Sequence, residues 1–202
     1  CVYPKHCPQP IKEEYLLTGP FEPTNEAYAL AKISGIKLCH FFNKQYGTQF
    51  ISVMPTNLYG PNDNYDPENS HVLAALIRKF FEASRRNASS VEIWGTGNPR
   101  REFLHVDDLA ESCLFLMQNY SGNETLNVGT GEDVSIKELA LMLEEISGFQ
   151  GELVFDTSRP DGTPRKVLDV SKIHALGWKH RIGLREGLER VFREYAELHT
   201  SR

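Results

Sequence analysis

Tyr28 and Lys32 stand four residues apart in the stretch Thr24-Asn-Glu-Ala-Tyr-Ala-Leu-Ala-Lys32, which reads as helix. That spacing puts both side chains on one helical face, a turn apart. An ammonium beside a phenol favours the phenolate, so the spacing predicts a lowered tyrosine pKa. A phenol tuned in this way can pass a proton to or from a carbinol while a cofactor carries the hydride. Alone, the pair is a weak signal, since most such pairs are surface residues on ordinary helices.

The surrounding elements give the pair a context. Pro23 or Thr24 can open the helix, and the pattern carries it from about Thr24 to Tyr46, with Gly47 as the stop. Ile33, Ile36, Leu38 and Phe41 supply much of its apolar surface. Residues 49–54 form an apolar run of strand length, and Pro55-Thr-Asn-Leu-Tyr-Gly-Pro61 follows as a polar loop. Helix with Tyr and Lys, buried strand, polar loop is the order found at the ligand edge of an open α/β sheet.

The totals narrow the class. The chain has 202 residues, 40% of them hydrophobic, which is enough for a sizeable core in one or two domains. A formal charge of -5 argues against a nucleic-acid partner driven by overall charge. No apolar run reaches the roughly 18 residues of a membrane span, and no signal-peptide pattern is visible, so a soluble cytoplasmic protein is expected. Cys1, Cys7, Cys39 and Cys113 show neither zinc spacing nor a disulfide framework, and no metal is expected. Cys39 and Cys113 fit small core residues, and Cys7 an incidental loop thiol.

Residues 5–22 read as a surface loop, and 60–70 as a polar loop whose Ser70 is a candidate N-cap. Helices are expected over 71–86, after Asp107 and Asp108, from Ser135 to about Ile146, over 171–176 and from Leu184 to about Leu198. Ser135 and Glu138 form a capping box. Strands are expected at 91–94, 102–105, 125–128 and 152–155, with 167–170 a short extended run. No Gly-x-x-Gly-x-x-Gly occurs in the sequence. Gly95-Thr-Gly97 and Gly129-Thr-Gly131 lack the strand, helix and third glycine of a pyrophosphate-binding turn.

Five segments together are more specific. They are Glu22-Pro-Thr-Asn-Glu-Ala-Tyr28-Ala-Leu-Ala-Lys32, Ser52-Val-Met-Pro-Thr-Asn-Leu-Tyr-Gly-Pro61, Asn69-Ser-His71-Val, Arg101-Glu-Phe-Leu-His-Val-Asp-Asp108 and Pro160-Asp-Gly-Thr-Pro-Arg-Lys166. Over nearly its whole length the chain resembles the GDP-L-fucose synthases, the epimerase-reductases of the extended short-chain dehydrogenase/reductase family. The resemblance implies an α/β fold: the C-terminal part of an NAD(P)-binding Rossmann-like domain with a small α/β substrate-binding lobe. Residues 1–60 would be the remainder of the Rossmann domain, and 61–202 mainly the substrate lobe, interleaved with returning Rossmann segments. Family members begin with a glycine-rich βαβ unit, so a C-terminal fragment, inactive alone, is expected.

The resemblance also implies NADPH as cofactor, a GDP-sugar as substrate, and a homodimer formed through helices that include Tyr28–Tyr46. The implied reaction is 3,5-epimerisation and then 4-reduction of GDP-4-keto-6-deoxymannose. Tyr28 would donate the proton at the carbonyl oxygen, Lys32 would tune it and bind the nicotinamide ribose, and Cys1 and His71 would be the epimerising acid and base. Pro55, Thr56, Asn57 and Leu58, with His71, would lie beside the nicotinamide. Asn57, Lys79, Trp94, Arg101, Asp161 and Lys166 would hold the substrate, with Arg101 forking onto phosphate. Trp94 reads otherwise as a core aromatic, Cys1 as a frayed terminus, and Pro55 to Leu58 as a plain turn. A different nucleotide-sugar epimerase or dehydratase, or a non-catalytic nucleotide-sugar-binding fragment, stays open.

Overall fold

A computed structural model describes residues 2–67 and 69–200. The 3₁₀ turn Pro23–Asn25 starts on a proline, whose missing N–H costs nothing there, and leads into α1 (Glu26–Tyr46). α1 ends where Gly47 takes φ 65° and its N–H donates to the Asn43 carbonyl. Only Ala29 and Ile33 of α1 are buried, whereas Leu38 and Phe41 point outward. The apolar surface expected of this helix therefore divides between a thin inner stripe and an uncovered outer face.

The expected strand over 49–54 is placed differently. β1 is Val53–Pro55 and β2 is Asn57–Tyr59, so Pro55, Asn57 and Leu58 lie in strands and not in a loop. Thr56 separates them, its N–H donating to the Val128 carbonyl. Periodicity could not show this, because strands of three residues are too short to carry a measurable period.

The chain continues through α2 (Val72–Arg86), β3 (Ser90–Trp94), β4 (Arg100–Arg101), β5 (Phe103–His105) and α3 (Val106–Asn119). Next come β6 (Leu126–Val128), β7 (Val134–Ser135), α4 (Ile136–Ser147), β8 (Glu152–Asp156), β9 (Arg165–Lys166), α5 (Ser171–Ala175) and α6 (Leu184–Thr200). β1 pairs with β6, β2 with β5 and β3 with β8, all parallel. β4 lies between β7, antiparallel, and β9, parallel. Residues 167–170, expected as the extended run, follow β9 instead, with Leu168 bridged to Ile11.

The larger core joins α2, α4 and α6 to β3. Leu73, Leu76, Ile77 and Phe80 of α2 recur at three- and four-residue steps and meet Leu139 and Leu143 of α4 and Leu188 and Val191 of α6. Ser135 accepts from the Glu138 N–H and Glu138 reaches back to the Ser135 N–H, so the capping box opens α4. Ser70 does not cap α2. His71 holds the N-cap position without a side-chain bond, and the Ser70 hydroxyl is buried.

A second core gathers Leu104, Leu116, Leu126, Val128, Leu168, Ile173 and Trp178, and it includes Ile11. The stretch 5–22 is therefore not a loose surface loop. The buried Asn127 side chain donates to the carbonyls of Ile11 and Asp169 and accepts from the Tyr3 hydroxyl. The cysteine expectations shift as well, since Cys7, Cys39 and Cys113 are all half-buried. Among the described residues no helix is long and apolar enough to cross a membrane.

Phe80 is fully buried, edge-on to Phe149 at 5.9 Å between ring centroids. Phe80→Ala leaves a cavity between α2 and the loop after α4. Urea denaturation should show a loss of about 3–5 kcal/mol.

Candidate functional site

On β4 and β9 the register pairs Arg100 with Arg165 and Arg101 with Lys166. Alternate residues of a strand face opposite sides, so each side of the pairing carries two cations roughly 4.8 Å apart along the ladder. On one side both guanidiniums converge on Asp133, a side chain almost wholly buried. Arg100 Nε donates at 2.7 Å, Arg165 Nε donates to the other oxygen, and Glu138 adds a contact to Arg100 at 3.1 Å. Burial alone would raise the Asp133 pKa, but the hydrogen bonds and charges of Arg165 and Arg100 outweigh it and hold the carboxyl below the usual range.

The opposite side carries Arg101 and Lys166. Arg101 donates from one nitrogen to the carbonyls of Arg100 and Thr163, at 2.8 and 2.6 Å. Burial lowers its pKa, and only the Asp161 charge pulls it back. Burial also lowers the Lys166 pKa, and the neighbouring Arg101 charge lowers it further. The nearby Glu22 charge pulls the Lys166 value back up.

Trp94 ends β3 with its indole 54% exposed, so it is not a core aromatic. The Lys79 ammonium stands 5.3 Å from the ring centroid and the Arg159 guanidinium 4.8 Å, both within cation–π range. Lys79 also donates to the Glu92 carbonyl at 2.8 Å, and its half-burial lowers its pKa. Asp161 accepts from the Thr96 N–H and hydroxyl at 2.9 and 2.7 Å, which ties the loop before β9 to the end of β3. Gly95, at φ 80°, makes room for it: a β-carbon there would sit 2.2 Å from an Asp161 oxygen. Asp161 thus positions its loop while remaining exposed to solvent.

Tyr28 and Lys32 lie together on the exposed face of α1, the ammonium 5.6 Å from the phenol centroid and Tyr28 53% exposed. The pair is neither split across the helix nor buried in hydrocarbon. Asn57 donates from its amide to the Glu102 carbonyl at 2.8 Å, and the Thr56 hydroxyl donates to the same oxygen at 3.3 Å. His71 is exposed at the start of α2. Leu58 turns its side chain into the second core, leaving only its backbone for a ligand. Cys1 lies outside the described residues. Among the described residues no three His, Cys, Asp or Glu side chains gather as a metal site.

Sequence reasoning missed Asp133, Arg159 and Glu102. The doublets Arg100-Arg101 and Arg165-Lys166 were the available signal, since adjacent cations on a strand must face opposite ways.

Parallel strand pairs flanked by helices, with paired cations on β4 and β9 and an exposed tyrosine–lysine pair on α1, make this an α/β protein. The chain belongs to the NAD dependent epimerase/dehydratase family, whose pattern residues 1–129 match. It is 56% identical over 195 residues to GDP-L-fucose synthase 1 of Arabidopsis thaliana, covering 96% of this chain and 60% of that protein. It is 51% identical over 206 aligned positions to the GDP-L-fucose synthase of Escherichia coli (strain K12), covering 98% of this chain and 64% of that one. A solved GDP-L-fucose synthetase of Naegleria fowleri bound to NADP is 31% identical, with a TM-score of 0.92 over 100% of this chain and 65% of that one. The chain spans about 60% of the length of the curated relatives it matches.

With its pKa lowered by burial, Lys166 would hold an anion in a pH-dependent way. The protonated amine attracts the anion, so affinity is full below the shifted value and falls as pH rises through it, before the ordinary lysine range. Titration of pyrophosphate between about pH 7 and 10 should show this fall, and Lys166→Arg should flatten it. An unchanged profile in Lys166→Arg would remove Lys166 from the anion site.

Proposed function

We propose that this chain carries the nucleotide-sugar site and the proton-transfer groups of an enzyme converting GDP-4-keto-6-deoxy-D-mannose to GDP-L-fucose. The reaction is epimerisation at the two carbons flanking the ketone, then reduction of the ketone. The observation that supports it most is the pairing of Arg101 with Lys166 on neighbouring strands, together with the exposed indole of Trp94. Diphosphate fits the first and a purine or sugar face the second. Relatives named as GDP-L-fucose synthases at 51 and 56% identity support the same substrate.

The tyrosine–lysine pair suits the nicotinamide-ribose end of NADPH, because phenol and ammonium share one open helical face. No glycine-rich turn in the sequence suits its pyrophosphate. When bound, NADPH supplies the hydride. Tyr28 donates the proton to the carbonyl oxygen and, before that, polarises the ketone so that the flanking protons become acidic. Lys32 favours the phenolate left behind. Asn57 positions the sugar, while His71 and Cys1 exchange the protons on the flanking carbons. Residues 1–60 then act as the cofactor side and 61–202 mainly as the substrate side. The exposed Leu38, Phe41 and Tyr46 of α1 support a homodimer through that helix, and a cytoplasmic site of action agrees with this chemistry.

The absent glycine-rich turn favours a second reading for the 202 residues by themselves: they hold the GDP-sugar but not NADPH. The test uses the full-length protein with GDP-4-keto-6-deoxymannose and NADPH. Oxidation of NADPH should proceed, and Tyr28→Phe should slow it about 10²–10⁴-fold with little change in KM. No NADPH oxidation by the full-length protein would overturn the assignment. Tight NADPH binding by residues 1–202 alone would overturn the second reading.

A further inference from the structure

Glu102 follows Arg101, and its carboxylate is 0% exposed. One oxygen accepts from the Thr130 N–H at 2.6 Å, the Gly131 N–H at 2.8 Å and the Thr130 hydroxyl at 3.4 Å. The other accepts from the Leu168 N–H at 2.8 Å. Its own N–H donates to the Lys166 carbonyl at 3.3 Å, and its carbonyl receives Thr56 and Asn57. One residue thus touches the break between β1 and β2, the turn after β6 and both ends of the segment that carries Lys166.

A buried carboxylate is costly, and the donors it meets here are neutral. Burial pushes its pKa up while the N–H groups of Leu168, Gly131 and Thr130 pull it back. Filling the same volume with glutamine would avoid the buried charge. A glutamine has one acceptor and one donor, however, so its NH₂ would face an N–H on one side. Only a carboxylate accepts on both sides at once. Gly129 fits the same design, since a β-carbon there would sit 2.2 Å from a Glu102 oxygen.

We propose that Glu102 is a positioning residue of the nucleotide-sugar site. Its two oxygens hold the Thr130–Gly131 turn and the Lys166–Leu168 segment against the junction of β4 and β5, which keeps Arg101 and Lys166 level with each other. It touches no substrate and acts through Lys166. The proposal rests on the nucleotide-sugar reading above.

The test is calorimetric titration of GDP into the wild-type protein, Glu102→Gln, Gly129→Ala and Ile77→Val. Amide NMR at Thr130, Gly131 and Leu168 and thermal melts accompany it. Glu102→Gln should keep a cooperative melt, lose the hydrogen-bonded shift at the Leu168 amide and bind GDP about tenfold more weakly. Gly129→Ala displaces the carboxylate without removing it and should weaken GDP in the same direction, which keeps the test available if Glu102→Gln does not fold. Ile77→Val, a core change remote from the site, should bind GDP within about twofold of wild type. GDP affinity in folded Glu102→Gln or Gly129→Ala equal to wild type, or an equal loss in Ile77→Val, would overturn the positioning role. Failure of the wild-type protein to bind GDP would instead overturn the nucleotide-sugar reading, and this inference with it.

Discussion

Four cations on two paired strands repel one another, and the alternation of the β-ladder sorts them. Arg100 and Arg165 share the buried Asp133, so their side of the pairing is neutralised inside the protein. On the other side burial depresses the pKa values of Arg101 and Lys166, while Asp161 pulls back on the first and Glu22 on the second. The Asp133 side is a fastener within the protein. Elements as short as two residues can hold this arrangement only because longer ones frame them. β7 leads directly into the capped α4, and Asp161 ties the loop before β9 to the end of β3.

The indole of Trp94 extends the same logic. Lys79 and Arg159 both lie within cation–π reach of its ring, and the Glu92 carboxylate accepts from its N–H at 3.1 Å. The tyrosine–lysine pair on α1 belongs to a different part of the chain, and the register of β2 against β5 links that part to the cation strands. Asn57 pairs with Phe103, next to Glu102, whose carbonyl it also bonds.

Features set by near neighbours along the chain are legible in the sequence. Tyr28 and Lys32 share a face because four residues make about one helical turn, and the Ser135–Glu138 box opens α4 because both bonds close within three residues. β3 and β8 carry enough β-branched and aromatic residues to be placed correctly. Contacts distant in sequence are hidden. Nothing near Asp133 announces that residues 100 and 165 will meet on it, and the fate of Glu102 depends on segments 28 and 66 residues away. The break at Thr56 and the placement of β9 escape a sequence reading because strands of two or three residues carry no measurable period. Ser70 looks like a cap from its type alone, yet the backbone puts His71 at that position.

Neighbouring arginines on β4 have unlike tasks, and one comparison tests this most directly. GDP affinity is measured by calorimetry for Arg101→Met and Arg100→Met at the same salt concentration, alongside their melting temperatures. Arg101→Met should lose roughly tenfold or more in affinity, the weight of a charge-assisted phosphate contact, with its melting temperature nearly kept. Arg100→Met should melt earlier and, while folded, bind almost as wild type does. Equal affinity losses in the two variants, or full affinity in Arg101→Met, would contradict the account.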